Sequence, residues 1–214
     1  MKDMKVFVFL AGTWLSLPLQ AASLAVQVWD GDHQPLPDAV AYLVSDQPFV
    51  VSAGNAYEVE QKDKTFSPFV TIMAAGSRAS FPNRDGIGHH VYSFSPAKNF
   101  QLPLSDVEIT DTITFDEPGI VTVGCNIHDW MVAYIYVVES AFFAKADADG
   151  RAVIENVPAG NYEIRVAHPG MRSAEPVSGQ VTVGAEDSSS LEFTLEIKPR
   201  YFWQPAPRMH EEVY

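Results

Sequence analysis

Short stretches in which every second residue is apolar recur along this chain, and they constrain its fold more than any other feature. Gly, Pro, Asn and Asp bound these stretches, and no window sustains a helical period. Alternation of this kind places apolar side chains on one face of a strand, and short strands separated by turns are typical of β-sandwiches. We therefore predict an all-β protein. The clearest alternating sets are Leu24, Val26 and Val28; Val121, Val123 and Cys125; Tyr162, Ile164 and Val166; and Leu191, Phe193, Leu195 and Ile197.

The first 22 residues have the features of an export signal. Lys2 and Lys5 give a positive start, residues 6–19 are largely apolar, and small residues follow as a cleavage site. A retained anchor is disfavoured because the apolar stretch is short for a bilayer, and no later stretch is long and apolar enough to cross one. We therefore expect a periplasmic protein with no integral membrane span once the signal, residues 1–22, is removed.

The chain is strongly acidic, which excludes one class of partner. Its formal net charge is −13, and loss of Lys2, Asp3 and Lys5 with the signal would bring it to −14. A nucleic-acid-binding protein needs a basic patch for the phosphates, and the sequence offers none. The acidity instead fits a protein that docks on a basic partner, although it would also serve solubility alone.

A single cysteine is notable in an exported protein. Cys125 has no second cysteine with which to form an internal disulfide. A thiol in an oxidising compartment is either buried and inert or occupied, and metal ligation is a common way to occupy it.

The segment around this cysteine carries metal-binding chemistry. Cys125, His128 and Met131 follow one another at intervals of three residues, so that a short loop can turn all three side chains onto one ion. Thiolate and imidazole are strong equatorial ligands for copper, and a thioether is a weak axial ligand that tunes the reduction potential. A fourth ligand is expected from the upstream pair His89 and His90.

Strand alternation favours His90 over His89 as this fourth ligand. If His90 points inward, Tyr92 and Phe94 accompany it and form a good core set. His89 would instead bring Val91 and a serine. The sequence Gly88-His89 favours the other choice, because a Gly–His pair is usual in the protein family that these motifs resemble. The glycines upstream would also permit a bulge that changes the alternation.

These motifs resemble those of the cupredoxins. Members of that family carry an early Asn upstream of a His on a strand, here Asn83, and a late Cys-x-x-His-x-x-Met loop. The spacing of this loop is that of the short-loop amicyanin type, and proteins of this appearance are often labelled methylamine-utilisation or plastocyanin-like. The resemblance, which spans residues 55–139, implies a Greek-key β-sandwich with one type 1 (blue) copper. It also implies that Asn83 and Asn126 support the ligands from behind, the backbone of Asn126 with a hydrogen bond to the cysteine sulfur.

The remaining strands resemble a second family. Residues 34–39 fit its Pro-Leu-x-x-Ala segment, and residues 148–151 and 156–162 fit its Asp-x-Gly turn and Pro-x-Gly-x-Tyr motif. These motifs are similar to those of the small carboxypeptidase-regulatory-like sandwich, an Ig-like or transthyretin-like fold.

The second resemblance implies a split module. We predict that residues 23–48 and 140–197 form one β-sandwich, with the copper domain, residues 55–139, inserted into it or lying beside it. Insertion at a loop is easy when the inserted domain's ends lie close together. Residues 198–214 are expected to form a tail.

The function expected from these features is the transfer of single electrons between redox partners, without enzymatic activity. The partner would be a dehydrogenase, cytochrome or oxidase with a basic docking patch. A copper enzyme would need an open coordination position or a second metal, and no second cluster of histidines is present in the sequence. Two alternatives stay open: a periplasmic copper carrier or chaperone, and a binding module in which the scaffold sandwich carries the function.

Overall fold

The computed structural model of the chain describes residues 22–46, 49, 54–103, 112–184 and 188–199. Nearly all of the predicted export signal and of the C-terminal tail lies outside these residues. Within them every regular element is a strand, which confirms the all-β prediction. No helix in these ranges could serve as a membrane span.

Seventeen strands make up the described part of the chain. In chain order they are β1 (Ala22–Asp30), β2 (Val40–Val44), β3 (Ala56–Glu58), β4 (Glu60–Lys62), β5 (Thr65–Ser67), β6 (Val70–Ala74), β7 (Ser77–Ser80), β8 (Val91–Ser95), β9 (Lys98–Gln101), β10 (Thr112–Phe115), β11 (Gly119–Cys125), β12 (Val132–Val138), β13 (Phe143–Lys145), β14 (Arg151–Val157), β15 (Gly160–Ala167), β16 (Val177–Val183) and β17 (Ser188–Leu195).

The first two strands of the chain pair with strands from its last third. One sheet has the order β14-β1-β17, and a second has the order β13-β2-β15-β16. Val28 of β1 lies beside Phe193 of β17 in a parallel pair, and Leu43 of β2 lies opposite Ile164 of β15. The apolar residues of β1 alternate between buried and half-buried, as the sequence pattern indicates. Strands separated by more than a hundred residues therefore build one pair of sheets.

The strands between them form the other three sheets. A five-stranded sheet has the order β6-β12-β11-β8-β9, a three-stranded sheet has the order β10-β7-β3, and β4 and β5 form a hairpin. Most neighbours in these sheets are not consecutive in the chain, and both β6–β12 and β3–β7 are parallel pairs. These crossovers are consistent with the predicted Greek-key sandwich. We call the sheets β14-β1-β17 and β13-β2-β15-β16 the first sandwich, and the sheets built from β3 to β12 the inserted sandwich. Residues 56–138 thus lie between the two parts of the first sandwich in the chain, while the exact domain boundaries stay a prediction.

The two sandwiches share a hydrophobic core. Val70, Ile72, Tyr136 and Val138, from β6 and β12, are buried in the same cluster as the inward residues of β1, β2 and β15. Every residue of β6 is buried, so both faces of this strand are covered. Burying an aliphatic side chain of this size contributes roughly 1.5–3 kcal/mol. The first sandwich is thus a structural support of the sheet that carries the cysteine.

A second core lies inside the inserted sandwich. Val121, Val123 and Cys125 are all buried on the inner face of β11, as the alternation predicts. Phe81 and Phe115 are among the largest fully buried side chains in this core. Cys125 therefore stands at the end of a packed strand, where its position is fixed by the core below it.

His168 is buried in the first sandwich, directly after β15. Its Nδ1 accepts a hydrogen bond of 3.0 Å from the backbone N–H of Gly170. Burial lowers the pKa of His168 to about 4, against the opposing effects of the Asp38 carboxylate and a hydrogen bond to the Pro37 backbone. The folded protein therefore holds this imidazole neutral at pH values where an unfolded chain protonates it.

We expect this histidine to reduce stability as the pH falls. Between pH 6.5 and about pH 4, His168 is protonated in the unfolded chain and neutral in the folded protein. The free energy of unfolding should therefore decrease across that window, by at most about 3 kcal/mol from this group. Urea unfolding at pH 7 and pH 4.5 measures the change. His168→Gln should reduce the difference between the two pH values, and His33→Gln, at an exposed histidine, should not. Equal differences in all three proteins would contradict the assignment.

Candidate metal centre

The pairing of β8 with β11 brings two distant parts of the sequence together. Gly124 lies opposite Tyr92, and Cys125 lies opposite Val91 in this antiparallel pair. One residue further, the backbone N–H of Asn126 donates to the carbonyl of His90 over 3.1 Å. The segment before β8, which contains the two adjacent histidines, therefore lies next to the end of β11.

The loop from Cys125 to Met131 is closed by its own backbone. The N–H of Met131 donates to the carbonyl of His128 over 2.9 Å, and the N–H of Cys125 donates to the carbonyl of Met131 over 3.2 Å. The N–H of Ile127 donates to Cys125 Sγ over 3.5 Å. Such a bond stabilises a thiolate and restrains the sulfur, so that the loop holds its donor atoms in place before any ion binds.

Three donor atoms converge at this point. Cys125 Sγ lies 3.8 Å from Nδ1 of His89 and 3.9 Å from Nδ1 of His128. The two imidazole rings have their centroids 5.0 Å apart and are tilted by 55°. Among the described residues, these three side chains are a group that could hold a metal ion, because their ligand atoms all lie within 4.8 Å of one another.

The spacing of these atoms fits a single ion between them. Metal–sulfur and metal–nitrogen bonds to a divalent ion such as zinc are about 2.3 and 2.0 Å long, so a trigonal arrangement separates sulfur from nitrogen by ~3.7 Å. The observed distances of 3.8 and 3.9 Å lie close to this value. A thiolate with two imidazoles in a trigonal set is the equatorial arrangement of blue copper sites.

Met131 completes the set from the end of the loop. It is 1% exposed and belongs to the same buried cluster as Cys125. Its backbone is bonded to both Cys125 and His128, so Met131 closes the loop that carries two of the three donors. His89, Cys125, His128 and Met131 therefore form a cluster that fits a type 1 copper site.

The structure brings His89 to the centre, where the sequence pattern favoured His90. His89 is 2% exposed, whereas His90 is half-buried and its ring lies 6.2 Å from that of Tyr92. Val91 and Ser93 point into the core, and Phe94 is 65% exposed. The apolar core set on which the choice of His90 rested does not form. Aromatic residues at alternate positions cover the outer face of β8 instead, with Tyr92 lying over Gly124.

A carboxylate holds the far side of the His89 ring. Nε2 of His89 lies 2.8 Å from Oδ2 of Asp85. With the proton on Nε2, the ring donates to the carboxylate and leaves the lone pair of Nδ1 directed towards Cys125. Burial would raise the pKa of Asp85, but hydrogen bonds from Lys64, His89 and Asp63 outweigh it and lower that pKa. Asp85 is not among the residues predicted from the sequence, although a carboxylate four residues before the histidine is a signal visible there.

His128 is the ligand at the surface. Its ring lies 5.2 Å from that of Trp130, which is 40% exposed, and Ile127 and Ile87 are also exposed. Burial lowers the pKa of His128, and repulsion from the protonated form of His89 and from Lys64 lowers it further, against the opposing effect of the Asp85 carboxylate. The half-buried imidazole of His128 thus lies beside an exposed aromatic ring, while Cys125, His89 and Met131 are buried.

The two predicted supporting asparagines have different positions. Asn83 donates from Nδ2 to the carbonyl of Ile87 over 2.7 Å and accepts from the N–H of Asp85 over 2.9 Å. It therefore shapes the loop that leads to His89. Asn126 bonds to His90 through its backbone, and it is Ile127 that donates to the sulfur in the place predicted for Asn126.

No protein-family model and no curated protein matches this chain. Solved structures of cupredoxins are similar to part of it. The copper-containing nitrite reductase of Thermus scotoductus SA-01 is 24% identical, with 43% of this chain and 25% of that chain covered and a TM-score of 0.36. This chain thus matches only a quarter of the enzyme's length.

Two smaller proteins match over nearly their whole length. The purple cupredoxin of Nitrosopumilus maritimus is 17% identical, with 54% of this chain and 98% of that chain covered and a TM-score of 0.32. A reduced Cu(I) amicyanin variant is 20% identical, with 46% of this chain and 98% of that chain covered and a TM-score of 0.35. The nature of the centre follows from its own donor atoms and distances.

The adjacent histidines give a direct test of the ligand set. His89→Ala removes a donor atom 3.8 Å from the sulfur, so we expect it to weaken copper binding by at least about 100-fold. His90→Ala is the matched control, since its ring lies on the outer face and its backbone carbonyl survives the change. Copper titration with a competing chelator measures both affinities. Loss of binding in the His90 variant with retention in the His89 variant would overturn the geometry described above.

Proposed function

We propose that this protein is a single-copper carrier of electrons. The observation that carries the proposal is a triangle of one sulfur and two Nδ1 atoms, in which Cys125 and His89 are buried and His128 is half-buried, with the buried Met131 closing the same loop. The copper would supply a one-electron couple between Cu(I) and Cu(II).

The donor set suits that chemistry because it is already assembled. The thiolate is a soft donor that suits Cu(I), imidazole is a good ligand of both oxidation states, and the thioether is a weak axial donor that tunes the potential. The loop bonds of Met131 and the Asp85 contact of His89 restrain the donor positions without an ion. Since these side chains need little movement between oxidation states, the reorganisation that slows electron transfer should be small.

The surface around His128 is where a redox partner would dock. Trp130 is exposed and its ring lies 5.2 Å from that of His128, and Ile127, the residue before His128, is exposed as well; such apolar side chains exclude water when another protein covers them. The net charge of −13 would steer a partner with a basic patch towards this protein, and Asp129 is exposed within the ligand loop itself. We therefore propose a dehydrogenase, cytochrome or oxidase that combines a basic patch with an apolar contact.

The burial of the ligands disfavours a carrier that hands over its copper. Ligand exchange requires donor atoms that a partner can reach, yet Cys125, His89 and Met131 are all at most 3% exposed. Only His128 is accessible, which suits the passage of an electron and not of an ion. We further propose that the protein works in the periplasm, on the strength of its signal-like N-terminal sequence, and that it has no enzymatic activity of its own.

The copper-loaded protein should be intensely coloured. A thiolate bound to Cu(II) gives a strong charge-transfer band in the visible, and Cys125→Ser should abolish it because oxygen replaces the sulfur donor. The visible spectrum of the purified protein after addition of Cu(II), followed by ascorbate, measures the band and its bleaching on reduction. Tight binding of copper without colour would contradict electron transfer and would favour the copper carrier.

The axial residue should tune the potential without holding the copper. Met131→Leu removes a weak donor that stabilises Cu(II), so the reduction potential should rise by at least about 59 mV, a tenfold shift for one electron. Met73→Leu is a matched control, because Met73 is fully buried in the same core. Redox titration of the visible band measures both. Complete loss of copper from the Met131 variant alone would show that the thioether is required for binding.

A further inference from the structure

Asp85 joins the buried ligand to a tight turn elsewhere in the fold. Its Oδ2 lies 2.8 Å from His89 Nε2 and also accepts from the backbone N–H of Lys64 over 2.8 Å. Its Oδ1 accepts from the N–H of Asp63 and so binds the same turn. One half-buried carboxylate thus receives three hydrogen bonds, two from the β4–β5 hairpin and one from the ligand.

The turn that Asp85 binds has an unusual backbone. Asp63 and Lys64 have φ values of 53° and 55°, both in the left-handed region that residues other than glycine rarely adopt. Two consecutive residues of this kind form the two-residue turn of a hairpin, and their N–H groups point the same way. The Asp85 carboxylate occupies the position that these N–H groups face.

The same turn also contacts the other ligand segment. Nε1 of Trp130 donates to the carbonyl of Lys64 over 3.1 Å. Trp130 lies between His128 and Met131 in the ligand loop, and its ring lies 5.2 Å from that of His128. The hairpin turn therefore meets both segments that supply ligands, through Asp85 on one side and Trp130 on the other.

We propose that Asp85 is a positioning residue that fixes the orientation and donor strength of His89, and that it uses the β4–β5 turn as its anchor. This inference rests on the proposed copper function. Asp85 holds the proton of His89 on Nε2, which presents Nδ1 to the ion, and its negative charge makes the imidazole a stronger donor. A stronger donor stabilises Cu(II) more than Cu(I), so Asp85 lowers the reduction potential.

Two variants separate the charge from the hydrogen bond. Asp85→Asn removes the charge but keeps an oxygen that can accept from His89, whereas Asp85→Ala removes both. We expect the asparagine variant to keep the visible band and to favour Cu(I) about tenfold more, which is about 59 mV for a one-electron couple. The alanine variant should bind Cu(II) 10–100-fold more weakly, the usual range for loss of such a partner, and its band should change in position or intensity.

Asp147→Ala is the matched control for general loss of stability. Asp147 Oδ1 accepts from the N–H groups of Asp149 and Arg151, each over 3.0 Å, in a turn of the other sandwich. It therefore supports a hairpin turn as Asp85 does, but without a histidine. Its copper affinity, potential and visible band should equal those of the unmodified protein, even where its unfolding midpoint falls.

A readout that needs no redox chemistry completes the test. In the Cu(I) protein, the Nε2–H proton of His89 should exchange slowly with water and be visible by NMR, because a carboxylate holds it. The signal should persist in Asp85→Asn and disappear in Asp85→Ala.

The failure of this inference is distinct from the failure of the proposed function. A coloured unmodified protein whose potential, affinity and His89 signal are unchanged in both Asp85 variants would overturn the role of Asp85 and leave the proposed electron transfer intact. An unmodified protein without the charge-transfer band would overturn the proposed function itself. An asparagine variant that shifts the potential as expected, while Asp147→Ala does not, supports both.

Discussion

The alignment of β8 with β11 is the constraint on which the candidate centre depends. Cys125 opposite Val91 fixes which residue of the upstream segment can reach the sulfur, and the bond between Asn126 and His90 extends the pairing beyond the strands. A shift by one residue would exchange the two faces of β8. It would bury Tyr92 and Phe94 and carry His89 away from Cys125. The chemistry of the site is therefore a consequence of strand register, which the core residues below it set.

The support for this register comes from both sandwiches. Inward residues of β11 pack in the inserted core, while Tyr136 and Val138 of the neighbouring β12 pack in the core of the first sandwich. β6 and β12 are buried on both sides over much of their length. The sheet that ends in Cys125 is consequently held from two directions, whereas the ligand loop beyond it is held by backbone bonds and by Trp130. Rigidity thus increases from the exposed edge of His128 towards the sulfur.

Much of the fold and part of the site could be predicted from sequence, for physical reasons that differ by residue. Alternation with a buried inner face made β1, β11 and β15 recognisable, and ligand chemistry at short spacing made Cys125, His128 and Met131 recognisable. The choice between His89 and His90 was not settled by the same means. Tyr92 and Phe94 are apolar enough for a core, yet they pack against each other on the outer face, with ring centroids 5.1 Å apart and planes tilted by 39°. The hydrophobicity of the residues in β8 does not show which of its two faces another sheet covers. The role of Asp85 was not predicted because its anchor, the turn at Asp63 and Lys64, lies 22 and 21 residues before it in sequence.

The pairing of β1 with β17 has a consequence for how the chain is made. β1 precedes every other described strand, and its parallel neighbour, β17, follows all of them. Until that neighbour and β14 exist, Leu24, Val26 and Val28 have no sheet partner, and an unpaired apolar strand invites association with other chains. The strands β3 to β12 all precede β13 in the chain, so they can complete their own sheets before the partners of β1 are available. Their assembly brings the ends of the split sandwich close together, so that the long connection between β2 and β13 is shortened before the outer strands close.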